Sequence, residues 1–542
     1  MAESEKVPWD PLEEDDQCIH DKQIKKKSDA KILLLLRKAD PTVLEKIKDI
    51  QQSNEKELKT DIELRWQLIA DTIYIDLQTE GQLYKTENGQ NVRCFWFDNI
   101  LKVLYDIKSE HFKCYFCWRY DLSWVTTKGK YIFERIYERC ANEGFKTNVY
   151  RFSFYDVNNN ILYKFNNNNK IFKLDGEKID IIDNGQERIL FEKEYDAEPI
   201  EPVYTEDDYL SSCLFDNINF ESDQLDYIEQ HYLFQKWFFS IFFPELFETK
   251  PLCLLWGEKG SGKTSLFQRI KKVLSGKKGN VESINKKEES FIALVTHEHF
   301  VALDNVDEYI PWLSDMLAKC STGQRISMRV LYKTNELITF YPRVFIGLTA
   351  RMPHFRRDDV ADRLLIFKVK RFDQFKPQSE LVNEIYDHRK EIWGDILTRL
   401  NDIIRLLKKN KDTVLSRFRL ADFYNFCRRQ ENDSERLNFI FDKMSSAQSD
   451  YILEYEPILQ VLNIYMNGKN EEILTTGQWY KKLAETAEKE NLTWYKSARS
   501  FGMKIKNLIS ELRQYYDIEL FEGKHGREKH MIVRNKNIGE TW

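Results

Sequence analysis

Apolar residues along this chain change their spacing repeatedly, and each change predicts a different kind of element. Residues 64–73 and 225–242 carry apolar or aromatic side chains at helical intervals. Between them the pattern shortens to brief apolar runs bounded by polar turns, which indicates strands. The predicted strands are 151–155, 161–165, 170–174, 178–182 and 189–191. The dipeptides Asp-Gly at 175–176 and Asn-Gly at 184–185 predict hairpin turns between them.

The second half of the chain combines short apolar runs with helical periods. The runs that are long enough for one buried strand each are 252–256, 300–304, 344–349 and 364–369. Residues 325–332 and 336–341 predict a hairpin with Lys333 in its tip, and residues 373–468 predict helices.

The last 70 or so residues predict a separate small module. Helices are expected at 475–487 and 498–515, and strands at 518–521 and 530–533 with a basic tip between them. Helix, turn, helix and basic hairpin together indicate a winged helix.

These changes in pattern divide the chain into six predicted segments. They are a leader at 1–60, an N-terminal α+β region at 61–195, an acidic linker at 196–208, an α/β core at 209–372, a helical region at 373–468 and a winged helix at 469–542.

Composition narrows the functional classes. The 542 residues are 42% hydrophobic and 31% charged, which indicates a folded protein, and 82 basic against 88 acidic residues give a net charge of −6. Because the chain has no overall basic character, any DNA contact must come from local patches. The acidic start does not resemble a signal peptide, and no apolar window is long enough to span a bilayer. With nine scattered cysteines, we expect a soluble cytoplasmic protein with reduced thiols and no membrane partner.

One motif predicts the chemistry most directly. The sequence GEKGSGKT at 257–264 follows an apolar strand, precedes a helix and fits G-x-x-x-x-G-K-[ST] without a mismatch. Its glycines allow the backbone N–H groups to turn around phosphate oxygens, Lys263 supplies a positive charge for the β- and γ-phosphates, and Thr264 supplies a hydroxyl for Mg²⁺. The residues expected to hold ATP are Gly257, Gly260, Ser261, Gly262, Lys263, Thr264 and Ser265.

Candidate catalytic residues follow at the ends of later strands. Asp304 lies 41 residues beyond Lys263 and is placed to hold Mg²⁺ with Thr264. The next residue, Asn305, stands where a second acid would polarise the attacking water, so that the catalytic base is left open between Asp307 and Glu308. Thr349 ends another strand and is expected to sense the γ-phosphate or to orient water. Arg363 directly precedes a strand and is placed to reach a phosphate in a neighbouring subunit.

The order of GEKGSGKT, FVALDN, RVLYKTNELI, FIGLT and DRLLIFKV resembles the superfamily 3 AAA+ helicases, which include viral initiator helicases and the helicase halves of phage primase-helicases. It is also similar to the MCM-like replication-initiator helicases of staphylococcal islands and cassettes. TWYKSARSFGMKIKNL resembles the C-terminal winged helices of phage-type primase-helicases. The resemblance implies a multidomain fold with an α/β AAA+ P-loop core, an α+β N-terminal region and a C-terminal winged helix.

The resemblance also implies roles and partners. Thr349 would occupy the sensor-1 position, Arg363 would be an arginine finger acting on the adjacent subunit's ATP, and Arg417 or Arg419 would serve as a sensor-2 arginine. Such a finger demands a homo-oligomer, expected as a hexamer with single-stranded DNA in its pore. The residues expected to contact DNA are Arg329, Lys333, Lys504, Lys524 and Arg527.

Two questions stay open at this point. The chain is expected to be an ATP-dependent DNA helicase or translocase that replicates a mobile element or virus; alternatively it is an AAA+ switch or a helicase loader that does not unwind DNA. Cys94, Cys114, Cys117 and Cys140 could hold zinc, but their spacing favours ordinary core cysteines.

Overall fold

The structure is a computed structural model that describes residues 38–53, 61–88, 91–284, 286–329, 337–355, 357–454, 456–522 and 529–536. The α-helices of these residues are α1 (Pro41–Gln52), α2 (Ile62–Glu80), α3 (Glu110–Tyr120), α4 (Thr127–Glu143), α5 (Tyr227–Ser240), α6 (Lys263–Ser275), α7 (Glu288–His297), α8 (Leu313–Ser321), α9 (Asp358–Ala361), α10 (Gln378–Asp387), α11 (Arg389–Lys409), α12 (Ala421–Arg428), α13 (Ser434–Leu453), α14 (Pro457–Met466), α15 (Thr476–Lys489), α16 (Ala498–Asn507) and α17 (Ile509–Leu512).

The strands are numbered in the same way. They are β1 (Gly81–Asn88), β2 (Asn91–Asp98), β3 (Val103–Asp106), β4 (Phe145–Lys146), β5 (Ser153–Asp156), β6 (Ile161–Phe165), β7 (Lys170–Leu174), β8 (Ile179–Asp183), β9 (Leu252–Gly257), β10 (Glu282–Ser283), β11 (Phe300–Asp304), β12 (Ile326–Arg329), β13 (Leu337–Phe340), β14 (Phe345–Ala350), β15 (Leu364–Val369), β16 (Glu471–Thr475), β17 (Tyr516–Glu522) and β18 (Lys529–Asn535).

Two compact units divide the chain. The first comprises Met1–Val149 with Asn184–Lys193, and the second comprises Tyr150–Asp183 with Glu194–Trp542. Residues 150–183 therefore group with the second unit, whereas the sequence pattern placed them in the region 61–195. The hairpin pattern indicated the strands, but it carried no information about the surface on which their sheet packs.

The first unit has a four-stranded sheet of order β3-β2-β1-β4 with helices against it. Cys94 and Cys140 are buried in its core, whereas Cys114 is exposed and Cys117 is half-buried on α3. Among the described residues, no three His, Cys, Asp or Glu side chains converge to hold a metal ion. The zinc alternative is thus unsupported, and Cys94 and Cys140 are the core cysteines that the spacing favoured.

The chain turns at 184–185 as predicted, with Gly185 at φ 86°, but the predicted strand at 189–191 and the hairpin that it would form are not found. The Asn184 amide donates from Nδ2 to the Phe191 carbonyl at 2.9 Å, and its Oδ1 accepts from the Phe191 N–H at 2.9 Å. Because this side chain satisfies the N–H and the carbonyl of Phe191, these two groups do not form a hairpin ladder with β8.

In the second unit, β5, β6, β7 and β8 form an antiparallel sheet in chain order. The predicted linker at 196–208 contains no regular helix or strand, and all of it is described. It is nevertheless anchored, because Ile200 is buried and the Val203 N–H donates to the Lys390 carbonyl at 2.9 Å.

A five-stranded parallel sheet of order β10-β11-β14-β9-β15 forms the centre of this unit. The predicted apolar runs became its long strands, which are almost wholly buried. Strand β14 lies between β9 and β11, so the carboxyl ends of all three meet at one edge of the sheet. Nothing in the sequence pattern specified this order, and it positions the candidate site.

The hairpin of β12 and β13 is antiparallel and pairs Ile326 with Phe340. Lys333 and the side chain of Arg329 lie outside the described residues. No helix within the described ranges is long and apolar enough to cross a membrane.

The C-terminal elements surround a three-stranded sheet of order β16-β18-β17. The expected long helix at 498–515 divides at Leu508 into α16 and α17, and β16 was not foreseen. Helix α15 begins with a capping box, in which Thr475 and Gln478 each bond the other's backbone N–H. Lys524 and Arg527 lie outside the described part of this module.

Candidate functional site

The loop between β9 and α6 has the geometry of an anion cradle. Gly260 and Gly262 have φ values of 86° and 78°, which favour glycine. A Cβ atom on Gly257 would stand 1.9 Å from the Val369 carbonyl oxygen, so the start of the loop also excludes a side chain. Gly262 is the N-cap residue of α6, whose positive dipole end favours anions.

Lys263 lies inside this loop and is only 7% exposed. Its Nζ donates to the carbonyls of Gly257 and Glu258 at 2.7 and 2.8 Å and to the Ser261 hydroxyl at 3.1 Å. Burial lowers the pKa of the Lys263 ammonium, and the charges of Asp307 and Asp304 oppose this shift. The ammonium group is thus held where a phosphate in the loop would meet it.

Ser265 gives an independent indication of a ligand. Its Oγ is buried and has no hydrogen-bond partner among the described residues. Buried hydroxyls normally find a partner, and this one belongs to the first turn of the helix that follows the loop. A triphosphate therefore fits the residues present, because it would supply the acceptor that this hydroxyl lacks.

Asp304, the last residue of β11, is hydrogen-bonded to one residue that follows β9 and to one residue of β14. Its Oδ1 accepts from the Thr264 hydroxyl at 2.7 Å and from the Thr349 hydroxyl at 2.6 Å. Its Oδ2 accepts from the Asn305 amide at 3.0 Å, and the Asn305 N–H donates to the Thr349 hydroxyl at 2.9 Å. Carboxylate and hydroxyl oxygens are the hard ligands that Mg²⁺ prefers, so the side chains of Thr264 and Asp304 suit that ion.

Asp307 is the acid whose charge acts most strongly on Lys263. Asn305 takes the left-handed conformation with φ 53°, which turns the chain after β11. Asp307 then accepts from the N–H groups of Arg351 and Met352 at 2.5 and 2.9 Å. Burial raises the pKa of Asp307, but these donors outweigh it and hold the pKa below its ordinary value.

Glu308, the other candidate base, is turned outward. Its side chain is 71% exposed and pairs with Lys286 at 2.9 Å. Sequence reasoning left these two acids equal, because their separation depends on the turn at Asn305, which the residue types alone do not specify.

Arg363 lies at the opposite end of the sheet from the loop. In the β15–β9 register, Leu364 pairs with Leu252 and Val369 pairs with Gly257. Six strand residues at about 3.3 Å each separate Arg363 from the start of the loop by about 20 Å. This distance exceeds the length of an arginine side chain, so Arg363 and the loop of its own chain do not meet.

The environment of Arg363 is unusual for a buried cation. The residue is 7% exposed, and its Nε and Nη1 have no hydrogen-bond partner in the described part of the chain. Burial and the charge of Arg419 both lower the pKa of Arg363, while Asp359 and Asp362 oppose them. Of the two sensor-2 candidates, Arg419 is the one whose charge acts on Arg363. Arg417 instead forms an ion pair with Asp442 on the surface.

Lys504, predicted to contact DNA, forms an ion pair with Glu456, the N-cap residue of α14. Its ammonium is thus engaged within the protein. The sequence could not indicate this pairing, because the two residues come from different elements.

Comparisons with known proteins associate this region with replication. The family model described as actinomycete integrative conjugative element replication protein matches residues 216–440, which carry the phosphate loop, Asp304, Thr349 and Arg363. No curated protein sequence matches the chain.

Among solved structures, an apo structure of the C-terminal region of NrS-1 is 12% identical, with 85% of this chain and 99% of that chain covered and a TM-score of 0.38. A second apo structure of that region is 11% identical over 85% and 98% of the two chains, with a TM-score of 0.37. A structure of JCV helicase is 12% identical over 42% and 66% of the two chains, with a TM-score of 0.19.

Proposed function

We propose that this protein is an ATP-dependent DNA helicase or translocase, an AAA+ ring motor that acts in replication of a mobile element or virus. The observation that carries the proposal is the meeting of the phosphate loop, Asp304 and Thr349 at the carboxyl ends of three adjacent parallel strands. The replication-protein family match over the same residues supports it.

In this proposal the loop holds the triphosphate of ATP. Backbone N–H groups at the start of α6 and the Lys263 ammonium bind the phosphates, and the Ser265 hydroxyl donates to one of them. Thr264 and Asp304 would hold Mg²⁺, which when bound neutralises charge on the β- and γ-phosphates.

Hydrolysis needs a group that orients and polarises the attacking water. We assign this role to Asp307, because backbone N–H groups hold its carboxylate beside the end of β14, whereas Glu308 is directed to solvent. Its low pKa keeps it ionised, as a water-polarising acceptor must be. Thr349 and Asn305 position Asp304 through their hydrogen bonds and do not themselves need to take up a proton.

Completion of the site requires a second subunit. The separation of about 20 Å along β15 excludes Arg363 from its own nucleotide, which supports its assignment as a finger acting in trans. Stabilisation of the transferring phosphoryl group by a neighbour's arginine would make a ring, expected as a hexamer, the active form.

DNA would be bound through local basic surfaces. We propose that the C-terminal module is a winged helix, because α15, α16 and the β17–β18 hairpin follow one another in that order. Lys333 and Arg329 of the β12–β13 hairpin, with Lys524 and Arg527 of the wing, remain proposed DNA contacts.

Strand separation of a forked duplex with ATP, measured together with the mass of the assembled particle, tests this function. We expect wild-type protein to unwind the fork as an oligomer and Lys263→Ala to assemble without unwinding. ATP hydrolysis and assembly with no strand separation would instead favour the switch or loader alternative. A monomer with full activity would contradict the shared site.

A further inference from the structure

Residues 370–375, here called the aromatic strap, leave the end of β15 and run beside the phosphate loop. The Phe372 N–H donates to the Gly260 carbonyl at 3.2 Å, and Arg371 Nη1 lies 3.4 Å from the Lys259 carbonyl. The strap is thus bonded directly to the backbone of the loop.

A second set of bonds fixes the strap from its other side. The Asn219 amide donates to the carbonyls of Lys370 and Arg371 at 3.2 and 3.1 Å, and the Lys370 N–H donates to the Asn219 carbonyl at 3.0 Å. Phe220 continues this pairing with a bridge to Val369. A segment bonded on both sides has little freedom to drift from the loop.

Two aromatic rings of the strap lie against glycines of the loop. A Cβ on Gly262 would stand 2.8 Å from the Phe372 ring, and one on Gly260 would stand 3.1 Å from the Phe375 ring. Phe375 is nevertheless 59% exposed. The Arg371 guanidinium lies 5.3 Å from the centre of the same ring.

We propose that the aromatic strap is the nucleobase platform of the nucleotide site, with Phe375 stacking on the base and Arg371 flanking the stack. The inference rests on the proposed function, since it takes the loop to hold a triphosphate. A nucleoside joined to phosphates in that loop must lie on the protein surface bordering it, and the strap is such a surface. A largely exposed aromatic ring beside the loop offers a base the same stacking contact that proteins binding single-stranded nucleic acid use.

Stacking also determines the expected specificity. Because every base has a π-face, a phenylalanine platform accepts all four bases, and purines, with their larger rings, stack more strongly than pyrimidines. We therefore expect the site to bind ATP and GTP with similar affinity and CTP and UTP more weakly.

The test compares ATP with inorganic tripolyphosphate, which has the phosphates without the base. Equilibrium binding of both is measured by calorimetry on the full chain, as wild type, Phe375→Ala and Phe375→Trp. The matched control is Phe439→Ala, which removes an equally exposed phenylalanine (55%) from α13. We expect Phe375→Ala to weaken ATP about 5- to 150-fold and to leave tripolyphosphate within about twofold. Phe375→Trp should retain ATP affinity, and the control should change neither ligand.

Two results would overturn the platform. Equal weakening of ATP and tripolyphosphate by Phe375→Ala would mean that the ring only packs against the loop. Unchanged ATP affinity would mean that the base lies elsewhere.

The affinities of wild-type protein for the two ligands distinguish a failure of the platform from a failure of the proposed nucleotide site. If wild-type protein binds ATP and tripolyphosphate with equal affinity, and Lys263→Ala abolishes both, the loop binds phosphates but the strap does not bind the base. If wild-type protein binds neither ligand, both the platform and the proposed nucleotide site are wrong.

Discussion

The two ends of the parallel sheet contrast in how their polar side chains are satisfied. At the loop end, Lys263, Thr264, Asp304 and Thr349 are hydrogen-bonded to one another or to the loop backbone, and the unpaired group among the described residues there is the neutral Ser265 hydroxyl. At the other end, Arg363 is as buried as Lys263, yet two of its charged group's nitrogens have no partner among the described residues.

Under the proposed function, this difference separates the half of the site that binds a nucleotide from the half that acts on a neighbour's nucleotide. Leaving buried polar atoms unpaired costs free energy, and the cost is larger when the group is charged. In the proposed function, a phosphate of the neighbouring subunit's nucleotide would supply the partner that Arg363 lacks. In that function, the loop end would bind the nucleotide of its own subunit, and Arg363 would contact the nucleotide of a neighbouring subunit.

The largest effect is expected from Arg363→Ala. Removal of a finger from phosphoryl transfer should lower the ATPase rate about 10³- to 10⁵-fold with little change in ATP affinity. Arg357→Ala is the matched control, because Arg357 is exposed and already paired with Asp359 at 2.7 Å.

Mixed assemblies then test whether the arginine acts in trans. An Arg363→Ala subunit keeps its loop, and a Lys263→Ala subunit keeps its finger, so their shared interfaces should recover part of the activity. No recovery from folded and assembled mixtures would show that both residues act in the same subunit, which would break the comparison between the two ends.

Asp307→Asn should have the next largest effect. The change keeps the size of the side chain but removes its charge, and we expect kcat to fall about 10²- to 10⁴-fold while ATP still binds. Glu308→Gln, the control at the neighbouring exposed acid, should retain activity. If Glu308→Gln proved the more damaging change in steady-state kinetics, the assignment of the catalytic acid would be reversed.

Thr349→Val removes one hydroxyl from the loop end without changing its shape. The change leaves the Asn305 N–H without its acceptor and Asp304 without one donor. Because partners that orient a metal ligand contribute about 10- to 100-fold, we expect a loss of activity of that size, with a higher Mg²⁺ requirement. Thr349→Ser, which keeps the hydroxyl, should have the activity and the Mg²⁺ requirement of the wild-type protein.

The smallest effect is expected at Lys504, where a cation is already satisfied by Glu456. Lys504→Ala should leave the salt dependence of DNA binding almost unchanged. Arg499→Ala, at an exposed position on the same helix, should reduce the slope of log affinity against log salt by about 1. An equal reduction of the slope in both variants would mean that the ion pair between Lys504 and Glu456 opens on DNA.

The sequence predicted the parts of the site that are local in the chain. Gly257 to Thr264 could be identified because each residue type has its own task around a phosphate, and the main strands appeared as buried apolar runs. Strand order could not be read, because pairing joins residues far apart in sequence. The proximity of Asp304 to Thr349, 45 residues later, is a product of that order.

Other features could not be predicted from the sequence, because each depends on the conformation of one residue or on one contact between distant residues. The position of Asp307 follows from the left-handed turn at Asn305, and the segment 189–191 is held by an asparagine side chain in place of a ladder. The C-terminal module showed a similar limit, since its long helix divides at Leu508 although the apolar period continues.

The length of β15 has a consequence for engineering. One end of this six-residue strand carries Arg363 and the other leads into the strap beside the loop, while every residue between them is in register with β9. One inserted residue would displace one end by about 3.3 Å and exchange the two faces of the strand beyond it. Substitutions inside β15 can be compensated by repacking, but a change in its length cannot. Under the proposed function, β15 would therefore fix the distance between the nucleotide of one subunit and the nucleotide of the next.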